Sequence, residues 1–104
     1  MSNGLSNRSK SVIDSVLKGF PSVGRVLLFG SRAKGSYYAG SDIDLAIMDE
    51  EVSDKELLAI RSELEESDLP YFVDVVHYPS IRYQPLKEHI DRVGVVFYKK
   101  SDFN

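Results

Sequence analysis

The chain contains no cysteine, which excludes disulfides and thiolate metal sites and leaves oxygen or histidine ligands for any bound metal. It also lacks an apolar run approaching the roughly 18 residues that a membrane span requires. The stretch from Met1 to Lys10 is polar, unlike the core of a signal peptide, so a cytoplasmic protein with no membrane attachment is expected. Positive charge is in short supply as well: 13 Lys and Arg stand against 16 Asp and Glu, for a net charge of -3. A field of that sign does not collect polyanions, which argues against bulk nucleic-acid binding and makes any phosphate recognition a local matter. At 104 residues the length suits one domain, 1–104, with a core over about 9–98 between polar tails and no room for a separate substrate-binding lobe. With 42% hydrophobic and 28% charged residues, the composition is that of a folded globular chain rather than a disordered one.

Hydrophobic periodicity orders the elements. Val12, Ile13, Val16, Leu17 and Phe20 recur at helical spacing, and Gly19 with Pro21 closes the segment, which predicts a helix from about Ser9 to Lys18. Arg25 to Phe29 reads as a short strand ending at Gly30-Ser31, followed by a polar, glycine-rich stretch to Ser41. Ile43 to Met48 is a second strand. Ser53-Asp54-Lys55-Glu56 is a capping box opening a helix that carries Leu57, Leu58, Ile60 and Leu64 and stops before Pro70. Phe72 to Val76 makes a third strand; Tyr83, Leu86, Ile90 and Val93 mark a last helix; and Val95 to Tyr98 follows Gly94 as a closing strand. With a short helix after the first strand, the predicted order is α-β-α-β-α-β-α-β, an α/β fold with helices packed on one sheet.

One constellation carries chemistry. Asp42 and Asp44 stand two apart at the mouth of a strand, so both carboxylates face one way while Ile43 and Leu45 face the other. Asp74 lies in an apolar strand, sharing a face with Phe72 and Val76. If the second and third strands are neighbours, three like charges converge, and a divalent cation relieves their repulsion. All-oxygen ligands favour Mg²⁺ or Mn²⁺, with a nucleotide's phosphates completing the shell. Gly30-Ser31, at a strand-to-helix turn, suits a phosphate: backbone N–H groups and the Ser31 hydroxyl point outward, glycine permits close approach, and Arg32 and Lys34 add positive charge.

The string Gly30 to Ile47, with Gly30-Ser31, ten residues, then Asp42-Ile43-Asp44 and a later strand Asp74, resembles the minimal nucleotidyltransferases of the DNA polymerase β-like superfamily. The likeness covers nearly the whole chain, and the Gly-Ser and Asp-x-Asp pair at fixed offset arises by chance in about one such chain per thousand. The resemblance implies a single domain with a mixed sheet of about four strands flanked by helices. It implies that Gly30 and Ser31 bind the β- and γ-phosphates of ATP, that Asp42, Asp44 and Asp74 hold two Mg²⁺ ions, and that Asp74 helps activate the attacking hydroxyl. Many relatives carry arginine at Lys34; lysine offers a point charge in place of a two-pronged donor, which implies looser triphosphate orientation.

It further implies AMP transfer to a hydroxyl on a partner, a helical HEPN-type toxin with this chain as antitoxin. Two other functions stay open on the same residues, a non-catalytic module that neutralises its partner by binding and a free-standing enzyme for a small hydroxylated substrate, and so does a homo-oligomer. A P-loop is excluded because Ser36 stands where its lysine belongs, and an EF-hand because Ala46 and Ile47 fill liganding and glycine positions. His77 and His89 are read as structural or solvated, Tyr37 and Tyr38 as loop packing or a stacking surface for a base, and the acidic runs at Asp49-Glu50-Glu51 and Glu63 to Glu66 as solvated surface.

Overall fold

The computed structural model describes residues 3–103, and the outermost ends of the expected polar tails lie outside them. Helix α1 spans Asn7–Lys18. It starts before the expected Ser9 because Ser6 serves as N-cap, its hydroxyl accepting from the Ser9 amide at 3.1 Å. Strand β1 is Arg25–Phe29, the short helix α2 Gly30–Lys34, and strand β2 Ile43–Ile47. Helix α3, Asp54–Glu66, opens on the predicted capping box, with Ser53 Oγ accepting from the Glu56 amide and the Glu56 carboxylate accepting from the Ser53 amide. Strand β3 is Val73–His77, helix α4 Gln84–Val93 and strand β4 Val95–Lys99. Two short 3₁₀ turns, Tyr78–Ser80 and Lys100–Phe103, were not foreseen.

The four strands form one mixed sheet in the order β3-β2-β1-β4. β2 runs parallel to β3, whereas β1 pairs antiparallel with both β2 and β4. The parallel pair requires a crossover, and α3 supplies it. Alternation splits the sheet into two faces. Val26, Leu28, Ile43, Leu45, Ile47 and Val75 bury against Ile13 and Leu17 of α1 and against Leu57, Ile60 and Leu64 of α3. On the opposite face Phe29 and Ala46 pack with Ile90 of α4, flanked by Leu86 and Val93. The larger core sits on the first face, where Ile43, Leu45 and Ile47 are fully buried and each side chain contributes about 1.5–3 kcal/mol. That burial pins the register of β2, and with it the face on which the intervening Asp44 must lie.

Candidate active site

The site assembles at one end of the sheet. Antiparallel pairing places Phe29, the last residue of β1, opposite Asp44. Gly30 follows with φ +74°, in the left-handed region, and a Cβ there would overlap Asp44 Oδ2. Only glycine satisfies both constraints, so the turn and the carboxylate are in direct contact. On the other side of β2, the parallel register sets Asp44 beside Asp74, on neighbouring strands separated by about 4.8 Å. Both point to the α4 face by alternation. Asp42 lies just before β2 and is exposed, as is Asp74, whereas Asp44 is partly buried.

The electrostatics follow from this placement. Burial, and then the charges of Asp74 and Asp42, push the Asp44 carboxyl from 3.8 to about 6. Among the described residues, no side-chain hydrogen bond or ion pair neutralises any of the three acids; the two salt bridges of the surface, Arg8 to Asp68 and Lys10 to Asp14, lie elsewhere. Nor do the described residues form a ready-made cage of three metal-ligating side chains. What exists is one fixed carboxylate between two exposed ones. Such an uncompensated, all-oxygen donor set fits a hard divalent cation, with exposed side chains able to close on it.

The turn residues divide into two kinds. Ser31 is partly buried at the start of α2, and Lys34 is exposed in its last turn. Arg32 departs from its expected place beside the phosphate. Its side chain is buried, at 2% exposure, with Nε and Nη2 donating to the Ser41 carbonyl at 3.1 and 2.9 Å and Nη1 donating to the Asn3 carbonyl at 2.9 Å. The guanidinium also lies over the rings of Tyr37 and Tyr71, 5.1 and 4.7 Å from their centroids. The physical reason is that the loop leaves the Ser41 carbonyl buried and the N-terminal segment brings the partly buried Asn3 carbonyl alongside, and an unpaired buried acceptor costs about 1–3 kcal/mol. A planar fork of donors satisfies them together. Arg32 therefore ties the phosphate turn to the residue preceding Asp42 and to the segment entering β3.

Of the other side chains singled out, Asp49 departs from its expected role, whereas Tyr37, His77 and His89 keep to packing and structural ones. Tyr37 is engaged by Arg32, whereas Tyr38, 76% exposed, remains an open ring beside the turn. Asp49 is no solvated acid: its Oδ2 accepts from the Gly24 and Arg25 amides at 2.8 and 2.9 Å, securing the entry to β1. His77 is structural, bridging the Asp49 carbonyl and the Ser80 hydroxyl at 2.7 Å each, and His89 meets the Phe29 ring edge-on. Sequence reasoning missed the Arg32 and Asp49 links because each spans a turn whose shape no local pattern states.

A glycine turn pressed against Asp44, with Asp74 in register on the adjoining parallel strand and Asp42 just before β2, marks this end of the sheet as the candidate site of a nucleotidyltransferase-type fold. Residues 11–103 match the model of the family described as polymerase beta, nucleotidyltransferase, and the chain belongs to that family. It is 39% identical over 79 residues, 73% of its own length, to "Probable protein adenylyltransferase MntA" of Haemophilus influenzae, covering 67% of that protein. This similarity puts it in the minimal nucleotidyltransferase branch. Among solved structures it resembles a toxin–antitoxin crystal structure with AMP-PNP at TM-score 0.70 and 24% identity, covering 89% of this chain and 76% of the other. It also resembles a chain in a complex of tri-AMPylated Shewanella oneidensis HEPN toxin with MNT antitoxin, at TM-score 0.67 and 21% identity over 94% of this chain and 76% of that one. These two likenesses establish the shared fold.

Proposed function

We propose that the chain transfers AMP from ATP to a hydroxyl on a partner protein, as the antitoxin of a pair whose toxin is a HEPN-type protein. The observation that carries this reading is the contact between Gly30 and Asp44 with Asp74 in register beside it, because it sets a glycine turn against carboxylates on two neighbouring strands, with Asp42 one residue before β2. Gly30 and Ser31 hold the terminal phosphates through backbone amides and the Ser31 hydroxyl, and Lys34 adds a positive charge at the rim. Asp42, Asp44 and Asp74 would hold Mg²⁺, which when bound supplies charge neutralisation and Lewis acidity at the α-phosphate. Asp74, at the open end of the site, orients the acceptor hydroxyl and takes its proton. The acceptor oxygen then bonds to the α-phosphorus as the bond to the bridging oxygen breaks, and pyrophosphate leaves.

A module that only binds its partner has no use for three acids whose repulsion burdens the fold, so the catalytic reading accounts for more of the structure. The test is incubation with α-labelled ATP, Mg²⁺ and a coexpressed HEPN-type protein. Label on that protein that vanishes in Asp44→Asn supports the proposal. Absence of Asp44-dependent label, with Asp42→Asn still neutralising the partner, overturns it in favour of neutralisation by binding.

A further inference from the structure

A cavity of about 370 Å³ opens between the C-terminal half of α3 and the free edge of β3, and Asp74 is part of its lining. Its apolar walls come from Leu64, Leu69, Tyr71 and Val73, and Phe72 stands at its mouth with 66% of its surface exposed. β3 is the terminal strand of the sheet. The parallel ladder, in which the Ile43 amide donates to the Phe72 carbonyl at 2.9 Å, turns the backbone groups of Phe72 and Asp74 inward and those of Val73 and Val75 outward. The Val75 carbonyl is already taken, accepting from Arg61 Nε and Nη2 at 3.1 and 2.7 Å. Val73 is left with its amide and carbonyl facing the cavity.

From this edge we infer the acceptor's seat, an inference that rests on the transferase reading above: an extended protein segment adds as a short strand along β3 at Val73, with a hydroxyl-bearing side chain beside Asp74. Side chains at matching positions of adjacent strands point to the same face within about 4.5–5.5 Å, so a residue aligned with Asp74 reaches the carboxylate side of the sheet. Phe72 and the apolar walls hold the flanking side chains, main-chain bonds to Val73 supply affinity, and Arg61 stops the addition before it passes the acids. Charge selects the same occupant. Glu65 and Asp74 are the acids of the cavity, and its one cation, Arg61, is engaged with a carbonyl, so a polyanionic acceptor is repelled while a neutral or basic peptide is admitted.

The probe is a capped seven-residue peptide of alternating lysine and valine with a central tyrosine, given to the full chain with Mg²⁺ and α-labelled ATP. ATP binding in the presence of Mn²⁺ is followed separately by calorimetry. We expect label on the peptide and slowed hydrogen exchange at the Val73 amide when the peptide binds. In Phe72→Ala, and in Glu65→Trp, which fills the cavity from an exposed helix position, transfer should fall by about tenfold or more while ATP affinity changes less than about twofold. If ATP binds but the peptide is not labelled, if both variants label it normally, or if label goes instead to the terminal hydroxyl of an oligoribonucleotide, the seat is wrongly assigned. Failure of the wild-type chain to bind ATP at all strikes the transferase reading itself.

Discussion

Replacing Asp44 with asparagine should stabilise the metal-free protein while abolishing its chemistry. The carboxylate is held between Gly30, the Asp74 charge and the edge of the core, and its ionisation moves from 3.8 to about 6. At 1.36 kcal/mol per pH unit the shift corresponds to about 3 kcal/mol, and because the side chain keeps contact with water, solvent screening reduces the cost of keeping it ionised to about 1–2 kcal/mol. Because the raised value belongs to the folded state, that state binds more protons than the unfolded chain between pH 3.8 and about 6, and stability falls as pH rises through this window. An asparagine side chain in the same place has nearly the same shape and no charge. In urea unfolding with a chelator present, Asp44→Asn should therefore exceed the wild type by about 1–2 kcal/mol near pH 7.5, and by less near pH 4.5. Mn²⁺ should stabilise the wild type and leave the variant unchanged. A variant no more stable than the wild type at neutral pH, or one whose advantage ignores pH, would show that burial and the neighbouring acids do not penalise the Asp44 charge as the geometry requires.

Gly30→Ala forces a Cβ into the Asp44 carboxylate at a left-handed φ, and should cost about 2 kcal/mol or more in thermal unfolding as well as the affinity for ATP. Arg32→Met leaves the Ser41 and Asn3 carbonyls without their donors; a loss of about 2–4 kcal/mol in urea unfolding is expected, with partial recovery in Arg32→Lys, whereas a direct phosphate ligand would lose ATP affinity with little change in stability. Lys34→Arg, at an exposed position, should lower the KM for ATP severalfold with stability unchanged, measured by steady-state kinetics. Ser53→Ala removes half of the capping box far from the acids and should cost about 1 kcal/mol with no effect on transfer.

The chain itself determined the order of the elements, because helix and strand periods, the Ser53 to Glu56 capping box and the glycine punctuation act over a few neighbouring residues. It also determined the face on which Asp44 lies, since alternation within a strand is local and the burial of Ile43, Leu45 and Ile47 leaves no other register, whereas Asp42 falls just before the strand. Whether Asp74 stood beside Asp44 was a question of strand order. Only the packing of α3 across the sheet, which makes β2 and β3 parallel neighbours with Asp44 opposite Asp74, decided it. The direction of Arg32 was likewise beyond local reading: a long side chain next to a phosphate-type turn is electrostatically suited to an anion, yet the buried Ser41 carbonyl of the loop and the Asn3 carbonyl of the N-terminal segment claim its donors. Long polar side chains go where the tertiary structure leaves buried partners unpaired, and those partners come into being only when distant segments meet.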